Sequence, residues 1–361
     1  MITIPLHRSL FGEAPRVVAA GPGFEAHAFR YASGVEGLRV RTDRLDVEAL
    51  PFRGQQVWRL RVDGEDVGMR GMLREPADAP ALLDGFGAAF FHCGLLGTAA
   101  PGPGDDHPLH GELPQAPMRE AALEVEEGPG GARLRVTGRY EHARAFAAHY
   151  LARPSVALGV GEAAIEVAMR VDNLAGAPFR FAYLGHANFR PVDGGRLHYA
   201  APYDAAHVRV RAEVPAHLGE GPPGYRDLLL RLAADPTGHH HLPPGQPFDP
   251  EVVFEIDYVA DAEGWAHSLQ VHPDGRADWF AHRPEECPRA VRWLSRTPDQ
   301  DCLALAEPTT SGIGGRAAEE RAGRLATLAP GGTWRATMRM GRLEPEEAAR
   351  MVAHVDRVAG R

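Results

Sequence analysis

The chain contains no lysine, so all 39 of its basic residues are arginine. This absence excludes enzymes that bind substrate or pyridoxal phosphate through a lysine Schiff base. It also excludes the GxxxxGK phosphate-binding loop and the phosphate-binding lysine of kinases. Arginine in place of lysine is typical of proteins from GC-rich genomes, and we read it as a bias of composition.

The chain also has no surplus of positive charge, few cysteines and no long apolar runs. The net charge of -9 makes nucleic acid an improbable partner. The three cysteines, Cys93, Cys287 and Cys302, form no CxxC pair and predict neither a zinc site nor a disulfide framework. No apolar run approaches the roughly 18 residues of a membrane span, and no signal-peptide pattern opens the chain. We therefore expect a cytoplasmic protein without a membrane partner; the oligomeric state is not indicated.

Short stretches that alternate apolar and polar residues, separated by Gly and Pro, dominate the chain. Residues 165–171 alternate in this way, and residues 123–125 and 134–136 flank a glycine-rich turn typical of a hairpin. A helical pattern is clear only near the C-terminus, after Glu344. No repeat, linker or shift in composition divides the chain. The pattern predicts an all-β protein, a large antiparallel β-sandwich with a short C-terminal helix, forming one domain over residues 1–361.

One segment, residues 107–112, combines two histidines and a carboxylate: His107, His110 and Glu112. These residue types could bind a metal, line a sugar site, or belong to a polar surface loop. A second group of histidines, residues 239–241, lies among turn-forming residues, and we expect an exposed loop there.

Two further segments place polar side chains on strands. His186, Asn188 and Arg190 follow an aromatic run at a spacing that directs them to one face, which is either a site or a solvated strand edge. Glu307 ends an apolar strand just before Pro308, either at a cleft or as an ordinary strand end. Burial would raise the pKa of this carboxyl group, and a nearby cation or donor would lower it.

In chain order these segments resemble the aldose 1-epimerase (galactose mutarotase) family. Residues 109–112 resemble its LHGG element, residues 185–190 its NHxYFN element, and residues 305–308 the strand that carries its catalytic glutamate. A closer likeness, over nearly the whole chain, is to a poorly characterised branch of that superfamily; it includes Phe52-Arg53-Gly54, Cys93-Gly94-Leu95 and Gly315-Arg316-Ala317. Three departures are Cys93-Gly94-Leu95 where the mutarotases have Asn-Arg-Ile, Glu112 for the second glycine of LHGG, and Gly185 for the first Asn of NHxYFN.

The resemblance implies a single-domain β-supersandwich that interconverts the anomers of a small-molecule carbohydrate without a cofactor or metal. It implies that Glu307 is the base, that His186 is the acid, and that His110 contacts the ring oxygen or shares the acid role. Its expected substrate contacts are Asn188, Arg53, Arg316, His107 and a stacking tryptophan, Trp265 or Trp279.

Two other functions stay open on sequence grounds. One is a metal-dependent sugar isomerase or lyase of the cupin type, with His107, His110, Glu112 and His186 as ligands. The other is a carbohydrate-binding protein that has the cleft but no turnover.

Overall fold

The computed structural model describes residues 1–212 and 221–361, and most of its regular structure is β. The strands are β1 (Ile2–Leu6), β2 (Arg16–Gly21), β3 (Phe24–Arg30), β4 (Glu36–Thr42), β5 (Leu45–Ala49), β6 (Val57–Val62), β7 (Glu65–Asp66), β8 (Phe90–Leu95), β9 (Glu120–Gly128), β10 (Gly131–Ala143), β11 (His149–Gly159), β12 (Ala164–Asn173), β13 (Phe179–Ala187), β14 (Arg196–Tyr199), β15 (Val208–Val210), β16 (Phe248–Ile256), β17 (Ala266–Val271), β18 (Ala277–His282), β19 (Arg289–Arg296), β20 (Asp301–Thr309), β21 (Ala326–Leu328) and β22 (Thr333–Leu343). The α-helices are α1 (Tyr225–Ala234), α2 (Arg316–Arg321) and α3 (Pro345–Val358).

The chain divides into two compact units. The first unit contains Met1–Asp66, Leu73–Gly185 and Thr310–Arg339; the second contains Val67–Met72, His186–Thr309 and Met340–Arg361. Two of the boundaries fall within strands, at Gly185 in β13 and at Arg339 in β22. A single domain over the whole chain stays a prediction.

The first unit is built from antiparallel strands. One set has the order β1-β9-β10-β11-β12, and another has the order β13-β8-β6-β5-β4-β3-β2. The predicted hairpin is confirmed, because Leu123 lies opposite Val136 and Val125 lies opposite Leu134. Alternate residues of β10 are buried, as expected for a strand with one face on a core. The apolar cluster of this unit includes Trp58, Phe91 and Leu184.

The second unit contains two smaller antiparallel sets, β14-β17-β18 and β15-β16-β19-β20. Strand β20 is apolar on both faces, and its residues from Cys302 to Thr309 are all buried. A charged residue in such a strand has little access to water. The position of Glu307 near the end of β20 is therefore chemically unusual.

Helix α3 confirms the predicted C-terminal helix. Pro345 occupies its first turn, and the side chains of Glu344 and Glu347 form a reciprocal capping box with the backbone. Ala348 and Val355 pack into an apolar cluster with Ala200, Leu269 and Ala277. The all-β prediction is likewise confirmed, whereas α1 was not expected from the sequence. None of the helices in residues 1–212 and 221–361 combines the length and the apolarity that a bilayer span requires.

Candidate active site

The second unit brings together three side chains from two separate segments of the sequence. The Nδ1 atom of His186 lies 2.8 Å from Asn188 Oδ1 and 3.0 Å from Glu307 Oε1. The Sγ atom of Cys302 lies 3.4 Å from the same Asn188 oxygen. All four residues are at most 4% exposed, so their polar atoms interact in a dry environment.

Neighbouring backbone segments hold these residues in place. His186 is the penultimate residue of β13, and Asn188 follows in an extended segment. Phe189 exchanges two backbone hydrogen bonds with Leu303 on β20, and Asn188 O accepts a hydrogen bond from Met69 N. Because Glu307 lies on the same strand as Leu303, the β-ladder sets the distance between histidine and carboxyl.

Burial controls the electrostatics of Glu307. It raises the pKa of the Glu307 carboxyl well above its ordinary value, and the negative charge of Glu251 raises it further. The Oε1 atom of Glu307 has no hydrogen-bond partner among the described residues, although His186 Nδ1 is 3.0 Å away. A buried carboxyl oxygen without a donor is costly.

The contact with Asn188 orients the proton of His186. An amide oxygen accepts a hydrogen bond, so the 2.8 Å contact indicates a proton on Nδ1 that points to Asn188 rather than to Glu307. The ring is therefore held in the tautomer that places its basic lone pair on Nε2. Imidazole fixed in this way can accept and return a proton at Nε2.

Two residues of the site were missed by sequence reasoning. The ring of Trp293 meets His186 edge to face, with ring centroids 5.5 Å apart, and its Nε1 donates to Glu251 Oε2 at 2.7 Å. Glu251 also forms an ion pair with Arg211. For Trp293, the only signal in the sequence is an aromatic residue within an apolar strand, a pattern that is common in protein cores.

Arg292 was also missed, although it is fully buried beside β20. Its Nε and Nη2 donate to Leu305 O at 3.2 and 3.0 Å, and Tyr258 hydroxyl donates to the same oxygen at 3.1 Å. No ion pair of the described residues includes Arg292. The contacts coincide with a β-bulge, since the register shifts between Val291 opposite Glu307 and Trp293 opposite Ala304. Arg292 thus satisfies a carbonyl group within the bulge beside Glu307.

The structure corrects the expectation of an exposed loop at residues 239–241. His239 is fully buried and stacks on Phe254 at 4.0 Å between ring centroids. Burial, together with the charge of Arg292, lowers the pKa of His239 well below its ordinary value. The neutral ring accepts a hydrogen bond from Arg292 Nη1 at 3.0 Å through Nε2. Turn-forming neighbours suggested exposure, but an imidazole ring in this turn packs into the core. His241 is exposed as expected.

In the first unit, His110 occupies a constrained backbone position. Its φ is +60°, in the left-handed region that a residue with a Cβ rarely adopts. Its amide donates to Ala99 O, and its carbonyl accepts from Gly94 N. Gly94 has φ +106°, and a Cβ there would lie 2.1 Å from Ala182 O. The glycine of the Cys93-Gly94-Leu95 motif is therefore required for the close approach of two backbones, and it helps to fix His110.

The Glu112 carboxylate binds the protein itself. It accepts hydrogen bonds from Leu95 N at 2.6 Å and Leu96 N at 3.1 Å, and from the hydroxyl of Tyr150. His107 is buried, and its Nδ1 lies 2.8 Å from Pro108 O. Glu112 thus secures the loop after β8, which explains a carboxylate where the resembling element has glycine. This use argues against Glu112 as a metal ligand.

The remaining expected substrate contacts have partners within the protein. Arg53 donates to Gln115 Oε1 at 2.5 Å and to Asp78 Oδ1 at 2.7 Å, at the edge of a cavity of about 610 Å³. Arg316 donates to Leu96 O and to Arg180 O. Both arginines therefore form hydrogen bonds within the protein, and their contact with a substrate stays a prediction.

The two tryptophans proposed for stacking are engaged elsewhere in the second unit. Trp265 is buried beneath Arg283, whose guanidinium carbon lies 4.2 Å from the ring centroid. Trp279 Nε1 donates to His267 Nδ1 at 3.2 Å. Stacking on a substrate stays a prediction for both, and it is Trp293 that packs against His186.

One described cluster, Asp261, His267 and His354, has residue types and spacings that suit a metal ion. Asp261 Oδ2 accepts hydrogen bonds from Nε2 of His267 at 2.9 Å and from Nε2 of His354 at 3.0 Å. Because the Trp279 indole donates to Nδ1 of His267, the ring proton of His267 lies on Nε2. A protonated Nε2 has no lone pair for a metal, so the cluster serves as a hydrogen-bonded clamp between α3 and the loop before β17.

Comparisons with known proteins place this architecture. Residues 32–210 match the model of a domain of unknown function, DUF4432. No curated protein matches the sequence. A proposed aldose 1-epimerase from Klebsiella pneumoniae aligns over 93% of this chain and 88% of its own, with a TM-score of 0.79 and 17% identity.

Two other solved structures are similar at lower TM-scores. A galactose mutarotase-like protein from Clostridium acetobutylicum covers 90% of this chain and 100% of its own, with a TM-score of 0.59 and 12% identity. Galactose 1-epimerase from Lactobacillus acidophilus covers 92% and 99%, with a TM-score of 0.51 and 13% identity. The chain therefore has the galactose mutarotase-like sandwich fold. The resemblance to a poorly characterised branch of that superfamily is confirmed at the level of the fold.

Proposed function

We propose that this protein interconverts the α and β anomers of a sugar by acid–base ring opening. Glu307, as carboxylate, takes the proton of the anomeric hydroxyl, and His186, as imidazolium, gives its Nε2 proton to the ring oxygen as the C–O bond breaks. The open-chain aldehyde rotates about its C1–C2 bond and closes on the other face, which returns both protons. The reaction has no net change in redox state and requires no lysine.

The observation that carries the proposal is the buried carboxyl oxygen of Glu307, which has no hydrogen-bond partner among the described residues and lies beside an oriented histidine. Its raised pKa moves the carboxyl towards the pH range in which a general base works best. The contact between His186 Nδ1 and Asn188 makes Nε2 the atom that transfers the proton. The role of His110 stays a prediction from the resemblance.

The fold of the neighbours supports the class of reaction, since proteins named galactose 1-epimerase and galactose mutarotase-like share it. The cupin-type metal reaction has less support, because two backbone amides and a tyrosine hydroxyl bind the Glu112 carboxylate. Sugar binding without turnover is the other candidate, and the following experiment separates it from catalysis.

The test is anomeric exchange measured by NMR over a panel of free sugars and sugar acids, with wild type, Glu307→Gln and the exposed control Glu263→Gln. We expect wild type to accelerate exchange of at least one sugar and Glu307→Gln to lose about 10²–10⁴-fold of that rate. The control should retain the wild-type rate. Binding of a sugar without any faster exchange would contradict catalysis and support a binding protein.

A further inference from the structure

Arg190 has one buried guanidinium nitrogen, Nε, that lacks a hydrogen-bond partner among the described residues, although the residue as a whole is half-buried. Its side chain forms no ion pair with any described residue. The nearest carboxylate in the sequence, Asp193, is paired with Arg296 at 2.9 Å. A buried donor without an acceptor costs free energy, and in native proteins such a group usually has a partner that is not part of the chain.

The backbone around Arg190 is extended and held from both sides. Arg190 N donates to Val67 O at 3.0 Å, while Phe189 pairs with Leu303. The Phe189 ring packs edge to face with Phe280. Because side chains alternate along an extended segment, Arg190 lies on the face of Asn188, about 7 Å further along the chain.

A buried network fixes this position. Gln270 is fully buried; its Nε2 donates to Arg190 O at 3.0 Å and its Oε1 accepts from Val192 N at 2.7 Å. Asp278 accepts a second hydrogen bond from Gln270 and is held by Arg342 at 2.9 Å. Hydrogen bonds to both its N–H and its carbonyl group thus hold the backbone of Arg190.

The charge of Arg190 is not used by the catalytic carboxyl group. The causes of the raised pKa of Glu307 are burial and Glu251, with no contribution from Arg190. The NHxYFN element that residues 185–190 resemble ends in asparagine, a short neutral side chain. Here a long cation replaces it, on the face that carries His186 and Asn188.

We propose that Arg190 binds an anionic group of the substrate, so that the protein acts on an acidic sugar rather than on the neutral parent sugar. The inference rests on the proposed function, since it assigns the substrate class of the same site. A guanidinium group recognises carboxylate and phosphate oxygens through two parallel hydrogen bonds. Both kinds of acidic sugar therefore share the recognised chemistry, and the experiment distinguishes them.

The first measurement compares kcat/KM for exchange of a hexose, its 6-phosphate and its uronic acid, in the gluco, galacto and manno series. In wild type we expect at least one acidic sugar to exceed its parent hexose tenfold or more. Arg190→Gln should reduce that ratio at least tenfold, mainly through KM of the acidic sugar. Arg190→Lys keeps the positive charge but lacks the two parallel donors of a guanidinium group. Its ratio of acidic to neutral sugar should therefore lie between those of wild type and Arg190→Gln. The exposed arginine variant Arg335→Gln is the matched control and should keep the wild-type ratio.

The second measurement does not depend on turnover. Binding of the same sugars is measured by calorimetry with Glu307→Gln and with the double variant Glu307→Gln/Arg190→Gln. We expect the acidic sugar to bind the single variant at least tenfold more tightly than its parent, and the double variant to lose this preference. Equal affinity for acidic and neutral sugars, or an unchanged preference in the double variant, overturns the inference. Preferential binding without wild-type exchange would support Arg190 while rejecting anomer interconversion.

Discussion

The chemistry proposed for this protein centres on Glu307, a carboxyl group in a strand that is otherwise apolar. Native proteins rarely bury such a group without a donor, because its ionised form loses its hydration. Here the carboxyl group lies 3.0 Å from a histidine whose proton points to Asn188, and the negative charge of Glu251 disfavours its ionised form. Stability is given up at this residue, and a carboxyl group of raised pKa is the result.

Replacement of Glu307 by glutamine should stabilise the protein at neutral pH. The folded-state pKa of Glu307 is raised, so between its ordinary value of 4.5 and the raised value the folded chain holds a proton that the unfolded chain has lost. The stabilising contribution of the protonated Glu307 is therefore fully present below about pH 4.5. As the pH rises above that value, this contribution is lost and the free energy of unfolding of wild type should fall. Thermal unfolding of both proteins from pH 4 to 8 measures the difference, which should widen as pH increases. A wider difference on acidification would contradict the raised pKa.

The pH dependence of kcat/KM should also reflect the raised pKa of Glu307. Only ionised Glu307 can act as base, so the acidic limb of kcat/KM should lie above pH 4.5, the ordinary value for a glutamate. Glu251→Gln removes the negative charge that raises the pKa of Glu307 and should move this limb to lower pH. Glu263→Gln, which changes an exposed acid, should leave the limb in place. A limb unaffected by Glu251→Gln would show that burial alone sets the pKa.

At the scale of elements, a bulge between β19 and β20 lies directly beside Glu307. Two residues of β20, Leu305 and Ala306, lie opposite Arg292 alone. The ladder is interrupted there, and Arg292 donates to Leu305 O in place of a backbone amide. Burial of a cation without a carboxylate partner costs free energy. The hydrogen bonds of Arg292 to Leu305 O stabilise the geometry of the bulge in return.

We expect Arg292→Leu to destabilise the protein by about 2–4 kcal/mol and to lower the rate of anomeric exchange. The substitution removes two hydrogen bonds to Leu305 O and leaves Nε2 of His239 without its donor, each a buried polar loss. Urea unfolding measures the first effect and NMR exchange the second. Arg289→Leu, on the exposed start of the same strand, is the matched control and should change neither by much. Full activity in Arg292→Leu would mean that the bulge keeps its shape without the guanidinium group.

At the scale of the whole molecule, the three buried cysteines report on both units. Cys93 lies in the first unit, whereas Cys287 and Cys302 lie in the second, and all three are buried. Burial raises the pKa of the Cys287 and Cys302 thiols well above the ordinary value, so neither forms a reactive thiolate in the folded protein.

Thiol labelling across a urea series should test the single-domain prediction. If the chain unfolds cooperatively, a short pulse of thiol reagent will label no cysteine in the folded protein and all three within one transition. Mass spectrometry of the peptides identifies which cysteine has reacted. Labelling of Cys93 at a urea concentration clearly different from that of Cys287 and Cys302 would show two domains that unfold separately.

Much of the fold could be predicted because local patterns and tertiary structure agree. The hairpin of β9 and β10 and the helix α3 depend on alternation, turn residues and capping, which are short-range properties. Residues 239–241 show the limit of prediction from short-range sequence patterns. Their turn-forming neighbours indicate a loop, but nothing local indicates that the ring of His239 packs on Phe254.

The sequence alone determined the chemistry that this protein lacks and the order of its candidate residues. The absence of lysine is a matter of composition, and the spacing of His186 and Asn188 on one face follows from the period of an extended chain. Tertiary structure decided the partners: Glu307 beside His186, Glu112 on backbone amides, Arg292 on Leu305, and Arg190 Nε without an acceptor. Local sequence does not encode these partners, because pKa values and hydrogen bonds depend on burial and on contacts between distant residues. His186 and Glu307, for example, are 121 positions apart in the chain.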